Sequence, residues 1–176
     1  MENENLAIQS CQRGDLQAFG ILYDSYVLKI YNFIYYRTHH KETAEDLTSV
    51  TFTKALSNIN SFNFDAGTFS AWLHRIARNT VIDHYRTFKS TTDILDGFDL
   101  AGHANVERDV DTAMKLEKVQ DYLSQLPSQQ RDIVIMRVWD NLSYREIGAI
   151  LGKSEASCKV SFSRIMHKLQ QERINV

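Results

Sequence analysis

The residues best suited to chemistry lie near the carboxyl end of the sequence, where basic and hydroxyl side chains recur at helical spacing. One face of a predicted helix carries Lys159, Ser163, Arg164 and Lys168. The opposite face carries Cys158, Phe162, Ile165 and Leu169. Cationic side chains bind phosphates, and guanidinium or hydroxyl groups read base edges, so this face favours DNA recognition without a chemical step. The alternative is the solvated face of an ordinary amphipathic helix.

The segment before that helix indicates how the helix is held. Leu142 to Gly152 has the pattern of a short capped helix that ends in a glycine turn, and Ser143 and Glu146 have the spacing of a capping box. Ser154 is then the predicted N-cap of the helix that carries the basic face. Two short helices joined by a tight turn form a helix-turn-helix, whose second helix lies in the major groove of duplex DNA.

A second polar face is predicted on a helix from Thr68 to Phe88. The residues on one side of this helix are Arg75, Asn79, Asp83 and Arg86, flanked by His74 and Arg78. Trp72 and Tyr85 add aromatic surface, and Phe64 lies in the preceding loop. Basic residues interleaved with aromatic ones suit unstacked single-stranded DNA, and an Asn side chain can read a splayed base. A solvated face beside core aromatics explains the spacing as well.

A third polar ridge consists of Asp46, Ser49 and Thr53, on a predicted helix from Thr43 to Ile59. The three side chains share one side of the helix and run beside an apolar stripe. A ridge of this kind could bind a protein partner. Taken alone, an ordinary exposed helix face is the commoner explanation.

Other chemistries are weakly indicated. His39, His40 and Glu42 lie close in sequence, but adjacent side chains on a helix point apart, which disfavours a metal site. Cys11 and Cys158 are far apart and form no CxxC pair. No nucleophile, base or paired carboxylates form a convergent set. We therefore expect no metal, no other cofactor and no catalytic activity, and a helical enzyme or metal protein is the disfavoured alternative.

The elements that would position these surfaces are all predicted to be helices. The chain has 176 residues with seven Gly and one Pro, which favours helices over a multi-stranded sheet. The further predicted helices are Ala18–Arg37, Thr112–Gln125 and a helix that begins near Pro127 and ends at Val138. Thr68, which follows Gly67, is the predicted N-cap of its helix, and residues 60–67 are predicted to form a loop.

The distribution of charge divides the chain into two domains. Between residues 93 and 111 there are six acidic residues against one Arg, with two Gly, a composition that is typical of a flexible tether. We predict an N-terminal domain of residues 1–88, a linker of residues 89–111 and a C-terminal domain of residues 112–176. From residue 127 to 173, eight Lys or Arg stand against five Asp or Glu, so the second domain carries a local positive excess.

Bulk charge and hydropathy limit the possible partners. The formal net charge is −2, so any contact with DNA must come from local basic patches. No apolar run approaches the roughly 20 residues that are needed to span a bilayer. The sequence begins Met-Glu-Asn-Glu, which is not typical of a signal peptide. We therefore expect a cytoplasmic protein without membrane insertion.

Taken together, these segments resemble the extracytoplasmic-function (ECF) sigma factors of bacterial RNA polymerase, over nearly the whole chain. Residues 44–52, Ala-Glu-Asp-Leu-Thr-Ser-Val-Thr-Phe, resemble the segment that docks on the clamp coiled coil of the polymerase's largest subunit. Residues 69–79, Phe-Ser-Ala-Trp-Leu-His-Arg-Ile-Ala-Arg-Asn, continued by Asp83 and Arg86, resemble the helix that melts the promoter and reads its minus-ten element. Residues 126–137 and 142–147 resemble the minus-thirty-five reading domain.

The resemblance implies a role for each set of residues. The polymerase-docking residues would be Asp46, Leu47, Ser49, Val50, Phe52 and Thr53. The minus-ten residues would be Phe64, Trp72, Arg75, Arg78, Asn79, Asp83 and Arg86, with Asn79 reading a flipped base in a pocket closed by the loop around Phe64. The minus-thirty-five residues would be Arg137, Tyr144, Ser154, Lys159, Val160, Ser163, Arg164 and Lys168, with Tyr144 at a phosphate-contacting position. The implied partners are core RNA polymerase, promoter DNA and an anti-sigma factor, and the free protein would be a monomer.

The sequence also departs from the family pattern. Val160 stands where many members carry a polar residue and Ser163 where some carry a larger one, which leaves the minus-thirty-five sequence open. Ser49 replaces a more frequent Gln. The acidic linker is similar to the one that threads toward the active-site and RNA-exit channels, where its charge would mimic nucleic acid. The alternative function, a stand-alone helix-turn-helix regulator that binds duplex DNA only, leaves residues 46–86 without a role.

Overall fold

The computed structural model describes residues 2–92 and 122–174, and none of these residues lies in a β-strand. The chain separates into two units, one on each side of the interval between residues 92 and 122, and each unit is described by itself. The predicted all-α class with two small helical domains is confirmed. The predicted linker from residue 93 onward, and the predicted helix from Thr112 as far as residue 121, lie outside the described residues.

The first unit contains four helices with short 3-10 turns between them. The helices are α1 (Glu2–Gln12), α2 (Phe19–Thr38), α3 (Lys41–Ser57) and α4 (Phe69–Thr92), and the turns are Leu16–Ala18, Ile59–Ser61 and Phe64–Ala66. The sequence predicted α2 and α3 to within a few residues. It missed α1 and ended α4 four residues too early, at Phe88.

Side-chain caps explain where these helices begin. The hydroxyl of Thr68 accepts a hydrogen bond from the N–H of Ala71 at 3.3 Å, so the predicted cap of α4 is confirmed. At the start of α3, the ring Nδ1 of His40 accepts from the N–H of Thr43 at 3.2 Å. His39 has a left-handed backbone with φ of 51° and ends α2. The two adjacent histidines therefore form the turn between α2 and α3.

Two members of the weak metal candidate, His40 and Glu42, lie close together at the start of α3. The Nε2 of His40 lies 3.5 Å from a carboxylate oxygen of Glu42. Within residues 2–92 and 122–174, no group of three or more His, Cys, Asp or Glu side chains is arranged to hold a metal ion.

The core of the first unit is formed by the inward faces of α2, α3 and α4. Its fully buried side chains include Leu22, Ile30, Phe33, Ala44, Ala55, Phe69, Leu73 and Ala77. The prediction that His74 flanks the polar face of α4 is wrong, because this side chain is completely buried. Its ring lies edge-on to Phe33 at 5.3 Å and its Nδ1 lies 2.8 Å from the carbonyl oxygen of Ser70, so its polar atom has a partner inside the core.

The second unit contains a helical segment at residues 122–125 followed by three helices. These are α5 (Ser128–Val138), α6 (Tyr144–Leu151) and α7 (Glu155–Ile174). Pro127 stands directly before α5, as predicted. Arg131 of α5 donates to the carbonyl oxygens of Leu123 and Ser124, both at 2.7 Å, and so satisfies groups at the end of the preceding helical segment. The predicted end of α5 at Val138 is also confirmed.

The turn between α6 and α7 depends on two glycines. Gly152 ends α6 with a left-handed φ of 67°, which confirms the predicted glycine turn. The sequence predicted no structural role for Gly148. A β-carbon at residue 148 would lie 2.5 Å from the backbone oxygen of Lys153, closer than non-bonded atoms approach. Separately, the N–H of Lys153 donates to the carbonyl oxygen of Gly148 at 2.9 Å, so a backbone hydrogen bond also joins these two residues.

No helix among the described residues combines the length and the apolar character that crossing a bilayer requires.

Gly148→Ala is expected to destabilise the second unit. The added β-carbon must displace the backbone at Lys153, and overpacking of this kind costs about 1–3 kcal/mol, more than the roughly 1 kcal/mol that Ala gains over Gly in a helix. Hydrogen exchange read by mass spectrometry should show faster exchange of the amides of α6 and the start of α7.

Gly20→Ala provides the matched control. Gly20 lies near the start of α2, and a β-carbon there meets nothing within 4 Å. This variant should slow the hydrogen exchange of the α2 amides slightly or leave their exchange unchanged. If Gly20→Ala speeds the hydrogen exchange of α2 as much as Gly148→Ala speeds that of α6, the steric explanation is contradicted.

Candidate nucleic-acid and polymerase interfaces

The structure brings the predicted recognition residues together on one face of α7. The exposed residues of this face are Lys159, Val160, Ser163, Arg164 and Lys168. On the opposite face, Cys158 and Ile165 are buried, and Phe162 and Leu169 are half-buried. The helix therefore has an apolar side that packs within the second unit and a basic side that faces solvent.

The start of α7 is fixed by hydrogen bonds that the sequence predicted. The hydroxyl of Ser154 accepts from the N–H of Ser157 at 3.2 Å, so Ser154 is the N-cap of α7, as predicted. In α6, the N–H of Glu146 donates to the Ser143 hydroxyl at 3.2 Å and the N–H of Ser143 donates to the Glu146 carboxylate at 2.8 Å. The predicted capping box is therefore present with both of its bonds.

Cys158 is a packing residue of α7. Its side chain is completely buried. Burial raises the pKa of the Cys158 thiol above its ordinary value, although the positive charge of Lys153 acts in the opposite direction. A neutral, inaccessible thiol is unreactive, which is consistent with a structural role.

Arg137 and Tyr144 form a stack that connects all three helices of the second unit. The Arg137 guanidinium lies 4.8 Å from the centre of the Tyr144 ring, and its Nη1 donates to the carbonyl oxygen of Leu142 at 3.0 Å. The Tyr144 ring in turn lies 5.8 Å from the ring of Phe162 in α7. We name these three side chains the Arg137 stack. It connects α5 through Tyr144 to the side of α7.

The polar face of α4 is exposed as its spacing predicted. Arg75, Asn79, Asp83 and Arg86 are exposed, and Arg78 is half-buried beside them. Asp83 lies 3.8 Å from the Lys54 ammonium of α3, which also donates to the Thr80 hydroxyl at 3.3 Å. Asp83 thus has a partner within the first unit, and the pair ties α4 to α3.

Aromatic rings gather at the amino-terminal end of α4. Phe62 is buried and lies 5.0 Å from Phe64, 5.6 Å from Phe69 and 5.6 Å from Trp72, measured between ring centres. Trp72 is half-buried and Phe64 is 39% exposed. Asn79 follows Trp72 by seven residues, a rise of about 10 Å along a helix. Trp72 therefore lies about two turns from Asn79 on the same helix, and Phe64 lies in the turn that precedes this helix.

The predicted ridge on α3 divides into exposed and buried residues. Asp46, Ser49, Val50 and Thr53 are exposed. Leu47 and Phe52 are only 7% and 5% exposed, and Phe52 packs on the rings of Phe19 and Tyr23. These two side chains support the ridge from the core, because helical periodicity turns them inward, and they offer no surface to a partner.

Two residues near these surfaces were not predicted. Lys54 joins α3 to α4, and Tyr23 is 43% exposed with its ring 4.8 Å from that of Phe52, beside α3. Nothing in the local spacing indicates either contact, because each joins residues that are far apart in sequence.

The comparisons with known proteins follow the same division of the chain. Residues 22–91 match the family Sigma-70 region 2, and residues 116–169 match the family Sigma-70, region 4. The chain is 33% identical to the RNA polymerase sigma factor YlaC of Bacillus subtilis, over 85% of this chain and 88% of YlaC. It is 30% identical to the ECF RNA polymerase sigma factor SigW of the same organism, over 94% of both chains.

The chain belongs to the ECF RNA polymerase sigma factors. It is also 36% identical to the ECF sigma factor BldN of Streptomyces coelicolor, where the match covers 92% of this chain but only 62% of BldN. As a sigma factor it acts in transcription initiation, and the resemblance stated from its sequence is confirmed.

Two solved structures share the fold of this sigma factor. One is CnrH in complex with the cytosolic domain of CnrY, with a TM-score of 0.75, 21% identity and 98% coverage of both chains. The other is the sigma factor RpoE in complex with the anti-sigma factor NepR from Bartonella quintana, with a TM-score of 0.75, 24% identity and coverage of 87% of this chain and 94% of RpoE.

The region 2 match spans most of α2, all of α3 and nearly all of α4, and so includes the ridge on α3 and the polar face of α4. The region 4 match spans α5, α6 and most of α7. A regulator that binds duplex only would leave the region 2 segment without a role, so the comparisons speak against that alternative.

The Arg137 stack predicts an energetic coupling between Arg137 and Tyr144. In a double-mutant cycle, the double variant Arg137→Ala/Tyr144→Ala should lose less free energy of unfolding than the two single variants lose in sum. The difference should be about 0.5–1 kcal/mol, the strength of an exposed cation–π contact. Urea unfolding can be followed by the fluorescence of Trp139 in a Trp72→Phe background, which isolates the second unit because the chain has two Trp.

The matched control pairs Tyr144→Ala with Arg145→Ala. Arg145 is adjacent in sequence but exposed, and the guanidinium over the Tyr144 ring is that of Arg137. Coupling near zero is expected for this control pair. The same coupling energy for both pairs would show that the Arg137 stack contributes no specific interaction energy.

Proposed function

We propose that this sigma factor binds core RNA polymerase and directs it to promoters by reading two elements in two different forms. The minus-thirty-five element is read as duplex by α7, and the minus-ten element is read as melted single strand by α4. The observation that carries this proposal is the pair of exposed polar faces, one in each unit, with different chemistry. The face of α7 belongs to a helix-turn-helix, whereas the face of α4 begins beside a cluster of aromatic rings.

The face of α7 suits duplex DNA. The second helix of a helix-turn-helix enters the major groove, where an Arg side chain can bond both acceptors of a guanine. Arg164 is placed for such a base contact, and Lys168, one turn further from the helix start, is placed for a phosphate. Lys159, Ser163 and the capped end at Ser154 extend the contact surface. Arg137 and Tyr144 would border the groove, with the stack holding their orientation.

The face of α4 suits a separated strand. Arg75, Arg78 and Arg86 supply positive charge for phosphates, and Phe64 and Trp72 supply ring faces on which bases can stack. Asn79 carries both a donor and an acceptor, which allows it to read the edge of a flipped base. Asp83 acts in this scheme through its pair with Lys54, as a positioning residue.

The exposed ridge on α3 is proposed to dock on the clamp coiled coil of the polymerase's largest subunit. Asp46 provides a negative charge, and Val50, 41% exposed, adds an apolar contact beside it. The acidic segment between the units would follow the nucleic-acid channels of the polymerase, because its charge resembles that of nucleic acid. An anti-sigma factor is a further proposed partner, since the RpoE structure of similar fold contains one.

Run-off transcription tests the proposal as a whole. Genomic fragments are transcribed by core RNA polymerase with and without the protein, and the starts that depend on the protein are aligned. Two shared sequence elements upstream of these starts are expected. Binding of the protein alone to duplex fragments, without any protein-dependent start, would favour the duplex-only regulator.

Asp46→Arg is expected to abolish the binding of core polymerase and leave the fold intact. The substitution reverses the charge of an exposed side chain, and a like charge across an interface is strongly unfavourable. Assembly of the holoenzyme can be measured by fluorescence anisotropy of labelled protein, with circular dichroism to check folding.

Asp24→Arg makes the same charge reversal on the exposed surface of α2 and serves as the control. It should assemble with wild-type affinity. A folded Asp46→Arg variant that also assembles with wild-type affinity would show that the docking assignment is wrong.

Asn79→Ala is expected to reduce open-complex formation without changing the binding of duplex through α7. If Asn79 reads a base, the defect should persist on a template that is already unpaired at the minus-ten element and should depend on which base is offered. If Asn79 only assists melting, the defect should disappear on that template. Permanganate footprinting of unpaired thymines on both templates distinguishes the two outcomes.

Asn32→Ala makes the same chemical change on α2 and should open both templates normally. If the Asn79→Ala variant forms open complexes normally on every template, this face of α4 has no role in promoter melting.

A further inference from the structure

One apolar side chain interrupts the polar face of the recognition helix. Val160 is 47% exposed, although its neighbours on this face are Lys159, Ser163 and Arg164. The apolar side of α7 is occupied by Cys158 and Ile165, both buried, so Val160 lies outside the packing of the second unit. The core of this unit therefore does not account for a valine at this position.

Helix stability does not account for it either. Valine is a poorer helix former than Ala, Lys, Arg or Gln, because its branched β-carbon loses rotamer freedom in a helix. A solvent-facing position in α7 would be served better by any of those residues. The same stiffness has an advantage in recognition, because two methyl groups are presented with little conformational entropy left to lose.

The position of Val160 along α7 places it where bases are read. It is the sixth residue of the helix, four residues before Arg164 and three before Ser163. Residues separated by three or four share one helix face. The amino-terminal part of a recognition helix is the part that approaches base edges. Val160 therefore lies in the row of side chains that would meet the floor of the major groove.

We propose that Val160 reads the C5-methyl group of a thymine in the minus-thirty-five element. The other major-groove features of the four base pairs are hydrogen-bond donors and acceptors, to which valine has nothing to offer, whereas the thymine methyl is apolar. Contact removes apolar surface of both groups from water. This inference rests on the proposed reading of duplex DNA by α7 and specifies one base of that reading.

Deoxyuridine substitution tests the contact at the level of a single methyl group. The holoenzyme first enriches binding sites from duplex DNA that is randomised across the minus-thirty-five element. Each thymine of the enriched site is then replaced in turn by deoxyuridine, which keeps the hydrogen-bonding groups and removes the methyl. At one thymine we expect binding to weaken about fourfold, the effect of exposing one methyl-sized group.

Two variants assign that loss to Val160. Val160→Ala should bind the thymine site several-fold more weakly and should show no further loss with deoxyuridine at the sensitive position. Arg164→Ala should weaken binding but remain sensitive to deoxyuridine there. Circular dichroism and the binding of core polymerase confirm that both variants are folded and assembled.

The outcomes separate this inference from the proposed function. An enriched site that contains no A·T pair, a wild-type holoenzyme that ignores every deoxyuridine, or a Val160→Ala variant that keeps the sensitivity would each overturn the inference while leaving duplex reading intact. If no minus-thirty-five sequence is enriched at all, the proposed duplex reading fails and the inference fails with it.

Discussion

The second unit depends on one close approach, in which the backbone oxygen of Lys153 lies 2.5 Å from the position that a β-carbon on residue 148 would occupy. Because residue 148 has no side chain, the backbone of Lys153 can pass directly over α6, and the N–H groups of Gly152 and Lys153 both donate to the carbonyl oxygen of Gly148. The turn is therefore short, and α7 starts at Glu155 in a fixed rotation. Each residue of slip would rotate the helix by about 100° and carry Arg164 away from the exposed face. The side chains that α7 exposes thus depend on a glycine in the preceding helix.

The first unit has a comparable constraint between α3 and α4. Lys54 reaches both Thr80 and Asp83, and Phe62 supplies a buried ring on which Phe64 and Trp72 rest. An ion pair that is about half exposed contributes at most about 1 kcal/mol, so its main effect is geometric. The rotation of α4 relative to α3 follows from their buried inner faces, which include Ala44, Ala55, Leu73 and Ala77, and the pair is consistent with it. The ridge on α3 and the polar face of α4 therefore lie on helices that share one core.

Local chemistry explains what the sequence could predict. The capping residues Thr68, Ser143 and Ser154 bond to backbone groups three residues away, so their spacing alone reveals them. The inward face of α7 follows from periodicity for the same reason. Helix α1 was missed although Ala7, Ile8 and Cys11 are buried at helical spacing, because an amphipathic stripe of three residues is a weak signal in so short a helix.

Contacts between distant residues explain what the sequence could not predict. From its sequence, His74 is expected at the surface. In the structure it is covered by Phe33, which is 41 positions earlier in the chain. The role of Gly148 depends on where Lys153 lies in space. Leu47 and Phe52 show the reverse case: periodicity places them on the inner side of α3, but the family resemblance assigned them to a docking segment as a block. A resemblance transfers whole motifs, whereas burial decides residue by residue which side chains can reach a partner.

If the two surfaces act as proposed, the charges of the chain explain why they would need the polymerase. Salt-dependent affinity for DNA grows with the number of phosphates neutralised, and the exposed face of α7 offers only three cations, Lys159, Arg164 and Lys168. The whole chain carries 22 acidic against 20 basic residues, so no general attraction to DNA supplements them. Held together on one enzyme, the two units would present both surfaces to the same promoter, and the first contact would raise the effective concentration for the second. Weak separate surfaces would then be an advantage, because only DNA that satisfies both elements at the correct spacing would retain the assembly.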